Sequence, residues 1–279
     1  MTSEMFSDII HAGRQFMHGD HSNDPIAEEF ISDQDKGLPM PPLTKEPMAD
    51  ESARTPLPRD FNKLALQCDL AKLFYDRRSS RVYTGGKMDL LQLSFLLWST
   101  QGIKGIRGKG YATLRTVPCG GARHEYETYL IVSNIEGLTP GAYHYLPMEH
   151  AIEYIGEVED LTGTVSDMLC EQKWASKANV VFFWAMVAYR AEWRYGIHAH
   201  RPALIDAGHI GQNLYLACTA LDLGTCGIAA FSHDLCSRIL KLDGENEYVV
   251  YSAPVGTVNH ANDAAEERST YSFVYDNDK

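Results

Sequence analysis

Arg115-Thr-Val-Pro-Cys-Gly-Gly-Ala-Arg-His-Glu-Tyr-Glu-Thr-Tyr129 is the stretch on which the reading of this chain turns. Pro118 fixes φ and offers no N–H, while Gly120 and Gly121 can take backbone angles closed to other residues. A turn built this way leaves peptide groups bare enough for a flat ligand to lie against. Directly behind it, Tyr129-Leu-Ile-Val-Ser133 reads as a buried strand. The turn gains weight from two companions, Arg77-Arg78-Ser79 upstream and Gly224-Thr-Cys-Gly-Ile-Ala-Ala-Phe231 downstream.

The upstream companion holds Arg77, Arg78 and Arg81 within five residues, interleaved with serines. Guanidinium forks pair bidentately with phosphate, and a serine hydroxyl adds a hydrogen bond. The whole chain carries a formal charge of −12, so clustered positive charge here points to a ligand phosphate. The downstream companion is small and apolar. Its backbone would lie flat beneath an aromatic ring system, or pack as a tight strand. Cys119 is either a reactive thiol or a small packing residue. His198 and His200 alternate as a strand metal pair would, but no third ligand accompanies them, and no metal is expected.

The 279 residues are 44% hydrophobic and 22% charged, which is ordinary for a globular chain with a sizeable core. The acidic balance argues against nucleic acid or an anionic membrane as partner. Six cysteines show no CxxC pair and read as reduced thiols. Glu4 and Asp8 stand where a secretory signal would carry basic residues, so a cytoplasmic location is expected. Val180-Val-Phe-Phe-Trp-Ala-Met-Val-Ala188 is the most apolar run and falls short of the roughly 18 residues of a membrane span. It reads as a core strand over 178–188.

Residues 1–60 are polar and proline-punctuated, and read as an extended arm with one short helix over 7–16. A single α+β domain is expected over about 61–260, followed by a tail over 261–279. Asp89 caps a helix ending at Gln101-Gly102, and residues 103–111, with three glycines, read as a mobile loop. Short strands are expected at 142–146 and 151–155, and helices at 161–170 and 234–242. A last strand is expected at 248–256. Residues 189–201 show no clear period. Pro202 opens a long helix to about Leu221, and its Gly208 and Gly211 suggest close approach by another backbone.

Six motifs then recur in a fixed order: Arg77-Arg-Ser-Ser-Arg81, Leu96-Leu-Trp-Ser-Thr-Gln-Gly102, Pro118-Cys-Gly-Gly-Ala-Arg-His124, Gly137-Leu-Thr-Pro-Gly-Ala-Tyr-His-Tyr145, Asp206-Ala-Gly-His-Ile-Gly-Gln-Asn213 and Leu223-Gly-Thr-Cys-Gly-Ile228. Together they resemble the SagB-type dehydrogenase branch of the nitroreductase family, and Gly37-Leu-Pro-Met-Pro-Pro-Leu43 resembles that branch's N-terminal arm. The resemblance implies a homodimeric FMN-binding α+β fold, with a mixed, mainly antiparallel sheet flanked by helices and flavin sites at the subunit interface. It implies that Arg77, Arg78, Ser79 and Arg81 hold the phosphate and ribityl chain. It also implies that Pro118, Cys119, Gly120 and Gly121 lie against the flavin, often from the neighbouring subunit, and that Gly227, Ile228 and Ala229 face its ring.

Two positions depart from the family pattern. Cys119 replaces the usual Ser or Thr. The Lys-Tyr pair of azole-forming members is matched by Arg194-Tyr195, and arginine stays protonated, which leaves Tyr195 as the candidate base. Arg268 is the one match to a C-terminal basic residue that reaches the phosphate. The expected activity is hydride transfer between FMN and an organic substrate, foremost dehydrogenation of a peptide-derived or small heterocyclic compound. The alternatives are NAD(P)H-dependent reduction of nitro or quinone compounds, and a flavin-bound scaffold among the enzymes of a biosynthetic cluster.

Overall fold

A computed structural model describes residues 3–18 and 29–259. Helix α1 (Ser3–His18) precedes the arm, and strand β1 (Arg54–Pro56) follows it. Helices α2 (Leu70–Asp76) and α3 (Leu90–Gln101) lead into strands β2 (Ile103–Arg107) and β3 (Ala112–Arg115). Strands β4 (Tyr126–Val132), β5 (Gly141–Leu146) and β6 (Ala151–Gly156) come next, then α4 (Leu161–Met168) and β7 (Val180–Val187). The chain continues through α5 (Ala188–Tyr195), α6 (His200–Ala220), β8 (Leu223–Thr225), α7 (His233–Leu240) and β9 (Glu247–Thr257).

Seven strands form one sheet in the order β1-β6-β5-β4-β7-β9-β8, and every ladder in it is antiparallel. Parallel pairing occurs only as isolated bridges, Ser79 with Thr225 and Met88 with Ile135. Side chains alternate across a strand, so β4 sends Tyr126, Leu130 and Val132 to one face and Tyr129 and Ile131 to the other. The first face packs on α3 and α6 through Leu93, Leu96, Leu97, Ile210 and Leu214. The second packs on α4 and α7 through Val165, Met168, Cys236 and Leu240. Covering both faces is why β7 and residues 129–132 of β4 read as unbroken apolar runs. The α+β architecture expected from the sequence is therefore what the chain adopts.

Several local expectations need correction. Residues 103–111 are not a loop: β2 and β3 form a separate hairpin closed through Gly108 and Gly110, both at positive φ. Residues 189–201 hold all of α5 but its first residue and the start of α6, and the period of α5 is hidden because Arg190 is buried along with Trp193. Pro202 is the third residue of α6 rather than the first, a position whose N–H also lacks a helical partner. At Gly211 the close neighbour is the Tyr251 ring and not a backbone, while a Cβ on Gly208 would meet nothing within 4 Å. Helix α1 is longer at both ends than the 7–16 expected.

The arm is docked along most of its described length. Residues 54–56, expected in the arm, pair with β6 as its edge strand. Glu153 accepts the backbone N–H groups of Met48 and Ala49 at 2.9 and 2.8 Å, and Glu127 accepts that of Lys45 at 2.7 Å. His144 links the two carboxylates, with Nδ1 2.7 Å from Glu153 and Nε2 3.4 Å from Glu127. Arg190 pairs with Glu127 at 2.6 Å. Burial works against the His144 proton, but the two carboxylates outweigh it and hold its pKa above the ordinary value. The 261–279 tail and Arg268 lie outside the described residues. All six cysteines are unpaired thiols, and no described helix is long and apolar enough to cross a membrane.

Candidate active site

The expected site residues fall into two groups, both resting on α6. The first gathers at the end of α2. Asp69 caps that helix through the N–H groups of Ala71 and Lys72, and Arg77 closes it as C-cap. The Arg77 guanidinium lies 5.5 Å over the Tyr215 ring. Ser79 Oγ is 2.9 Å from the Tyr215 hydroxyl, which also accepts the Gly227 N–H at 2.8 Å. The Ser80 N–H donates to Thr225 O at 2.8 Å. One tyrosine on α6 thus joins the arginine cluster to the Gly224–Ala229 segment.

Within that segment the residues differ in role. A Cβ on Gly227 would overlap the Tyr251 hydroxyl, so only glycine fits there. Ala229 is exposed. Ile228 is not presented to a ligand: its side chain is buried in the second core, and its N–H donates to Ser252 O at 2.8 Å. It braces the segment instead. Arg78 is half-buried with partners of its own. Arg81 stacks on Trp174 at 5.9 Å rather than on Tyr215.

The second group is built around the organising turn. Pro118 is exposed, and Gly121 sits at φ +57° and ψ 14°. The Gly120 N–H donates to Asp206 Oδ2 at 2.8 Å, anchoring the turn to α6. Arg194 and Tyr195, the last two residues of α5, close over the turn. A Cβ on Gly121 would lie 2.6 Å from Arg194 Nε and 2.7 Å from the Tyr195 hydroxyl. The structure therefore brings together the flat turn and the candidate catalytic pair, residues more than 70 positions apart. Arg194 Nη1 donates to the Tyr111 hydroxyl at 2.9 Å and to Gln34 Oε1 at 3.2 Å. Burial opposes its charge, yet the hydrogen bond with Tyr195 and the nearby phenols raise its pKa, so it stays a cation.

Beneath the turn, Cys119, Glu125 and Asp206 bring a thiol and two carboxylates within 4.8 Å of one another. Cys119 Sγ is 3.2 Å from Glu125 Oε2 and accepts the His124 N–H at 3.0 Å. Burial, reinforced by Glu125, pushes the Cys119 thiol far above its ordinary pKa, and burial also raises Glu125. Cys119 is accordingly a protonated packing residue and not a reactive thiolate. His200 pairs with Glu192 at 3.1 Å, and among the described residues the cluster of three possible metal ligands is Cys119, Glu125 and Asp206, without His198 or His200.

The two groups do not meet within one chain. Asp206 and Tyr215 are nine residues apart on α6, which is about 14 Å of rise and half a turn of rotation. Spacing alone marks neither contact. Asp206 lies inside a quoted motif, but its role depends on the turn reaching it. Tyr215, Tyr111 and Gln34 leave no sequence signal, because each acts through a partner at least nine positions away. An apolar groove of about 520 Å³ between α2, α3 and α6, lined by Leu73, Phe95, Trp98 and Leu216, contains none of the expected site residues.

The family model described as the nitroreductase family matches residues 75–257. MJ1384 of Methanocaldococcus jannaschii, a protein named as a nitroreductase, is 32% identical over 197 residues, covering 71% of this chain and 93% of its own. The microcin B17-processing protein McbC of Escherichia coli is 25% identical over 139 residues. That match covers 46% of this chain, which spans about half of McbC, 49%. Among solved structures, a chain of the E. coli microcin synthetase McbBCD complex with truncated pro-MccB17 bound superposes with a TM-score of 0.54. Its identity is 19%, with 77% of this chain and 85% of that one covered.

Proposed function

This chain is an oxidoreductase of the nitroreductase family, and we propose that it binds FMN and dehydrogenates a peptide-derived or small heterocyclic substrate. The observation that carries the reading is the Tyr215 hydroxyl, which ties Ser79 of the arginine cluster to the Gly224–Ala229 segment through the Gly227 N–H. The residues present fit the cofactor. Arg77 and Arg78 supply charge for one phosphate, and Gly227 and Gly121 let Tyr251 and the Arg194-Tyr195 pair lie directly against the backbone where a Cβ would intrude. The sequence offers no Gly-x-Gly-x-x-Gly run and no other sign of an adenine-binding unit, which favours a mononucleotide over FAD. When bound, the flavin would accept a hydride from the substrate, and the chain supplies position and charge.

Loss of hydride from a C–H bond must be matched by loss of a proton from the same substrate. Tyr195 is the candidate base, its hydroxyl facing the Gly120–Gly121 turn, and Arg194 keeps positive charge beside it. The separation of clamp and turn along α6 supports a homodimer in which each flavin takes its clamp from one chain and its turn from the other. Coupling would then run both ways, FMN stabilising the dimer by mass action. The likeness to McbC supports a peptide-derived substrate and a place among the enzymes of a biosynthetic cluster.

The likeness to MJ1384 favours a second reading, NAD(P)H-dependent reduction of nitro or quinone compounds. Anaerobic stopped flow on FMN-loaded protein separates the two. Bleaching of the flavin by a thiazoline-containing peptide supports the dehydrogenase. Rapid bleaching by NADH or NADPH, with turnover on a quinone and none on the peptide, supports the reductase.

A further inference from the structure

Four arginines surround the turn, and Arg194 is the one of them that is not fully buried. Arg190 is buried against Glu127, and Arg115 is buried with Gln101 Oε1 at 2.7 Å and Leu43 O at 3.2 Å. Arg123 is 3% exposed, and its Nε and Nη2 donate to Gly121 O and Tyr111 O, both at 3.1 Å. Arg194 is only half-buried, and its hydrogen bonds go to neutral groups, Tyr111, Gln34 and Tyr195. Among the described residues it has no carboxylate within ion-pair distance. Arg123 lacks one too, and the two guanidinium groups share the Tyr111 ring region, with Arg123 4.8 Å over Tyr111 and 5.4 Å over Trp193.

In a chain with twelve excess negative charges, two adjacent cations without an acidic partner are a costly arrangement. The surroundings preserve it. Gly121 has no Cβ, which lets the guanidinium lie flush against the turn. Tyr111 and Gln34 orient it without neutralising it. The arm segment bearing Gln34 is itself fixed to α5, Gln34 N–H donating to Trp193 O at 2.8 Å and Trp193 Nε1 to Leu38 O at 3.1 Å. A fork-shaped cation held in one orientation, with aromatic rings beside it, is suited to a planar anion carried on a flat or aromatic body.

We propose that Arg194 binds a carboxylate carried by the substrate, so that this enzyme acts on acids and Tyr195 stands beside the carbon chain bearing that group. This rests on the reading of the turn and Tyr195 as the face of the flavin site. It assigns Arg194 a binding role, and residues 33–38 of the arm a positioning role through Gln34. Phosphate, the other anion a guanidinium fork accepts, lacks the flat body that Trp193, Tyr111 and Tyr195 would flank.

The test titrates full-length, FMN-loaded protein with hippurate, with its neutral amide and with inorganic phosphate, by calorimetry and by the flavin spectrum. Hippurate should bind at least tenfold more tightly than the amide or phosphate. Arg194→Gln should remove that preference, Arg194→Lys should retain part of it, and Arg238→Gln on α7 should leave it intact. Equal binding of acid and amide, phosphate binding as tightly as hippurate, or an undiminished preference in Arg194→Gln would overturn the proposal. Thermal melts establish that the variants are folded, with Arg194→Lys carrying the comparison if Arg194→Gln is not. Repeating the calorimetry on flavin-free protein separates the two claims: failure to take up FMN counts against the proposed function, and loss of acid preference in both forms counts against the carboxylate site.

Discussion

Gly121→Ala probes the packing of the candidate site most sharply. Gly121 sits at φ +57°, where an L side chain costs about 1–2 kcal/mol. The added Cβ would also lie 2.6 Å from Arg194 Cδ and Nε and 2.7 Å from the Tyr195 hydroxyl. The arginine can swing aside, but doing so breaks its bonds to Tyr111 and Gln34, worth about 1–2 kcal/mol for a half-exposed group. The tyrosine ring cannot bend and must shift with the end of α5. The sum is about 2–4 kcal/mol, measured by urea denaturation at equilibrium. Gly105→Ala is the control, since its Cβ would meet nothing within 4 Å, and it should change stability by less than about 0.5 kcal/mol. A Gly121→Ala protein as stable as the control variant would refute the packing of Arg194 and Tyr195 on the turn.

Glu153→Gln should release the arm, because Glu153 anchors the Met48 and Ala49 N–H groups and His144 together. Removing one partner of such a buried network costs about 3–5 kcal/mol, and hydrogen exchange at residues 45–49 should rise in parallel. The same latch sets a pH window. His144 is raised, so its contribution is complete below its ordinary 6.5 and is lost as pH climbs through the folded value. Burial opposes the Glu153 charge, but His144 and the two N–H groups outweigh it and lower its pKa. Its contribution is therefore complete above its ordinary 4.5 and lost as pH falls through the folded value. Arm protection should be greatest between those limits, and a His144→Gln protein should lose the decline on the alkaline side. Tyr195→Phe should slow substrate-driven flavin reduction by roughly 10²–10⁴-fold with FMN retained, as stopped flow with the true substrate would read. The FMN-loaded protein should scatter light as a dimer, and a mass of one chain with flavin bound would exclude the shared site.

What could be read from sequence follows the physics of each element. Strand β7 and residues 129–132 of β4 are legible because both faces are buried and every residue there is apolar. Helix α3 is legible through Asp89 and Gln92, whose capping box forms as spaced. The β2–β3 hairpin is not, since Ile106 and Leu114 are exposed and leave no alternating pattern. Helix α5 is hidden by Arg190, a charge at a buried position that is tolerated because Glu127, 63 residues earlier, neutralises it. Of the site, the arginine cluster and the glycine turn announce themselves by composition. The joints that make them a site, Tyr215 to Gly227 and Asp206 to Gly120, are long-range contacts that a linear pattern does not carry. Arg194 illustrates the same limit: its position in sequence suggests a substitution for a base, and only the folded chain shows it half-buried against the turn with neutral partners.

The central claim is that this chain is built around one flavin mononucleotide. Purified protein, reconstituted and desalted, should carry close to one flavin per chain with the absorbance bands of an oxidised flavin, and mass spectrometry of the released cofactor should identify FMN. Arg77→Ala should weaken retention by about 1.5–3 kcal/mol, the value of a charge-assisted hydrogen bond. FAD in place of FMN, or protein that stays colourless after reconstitution, would contradict the account.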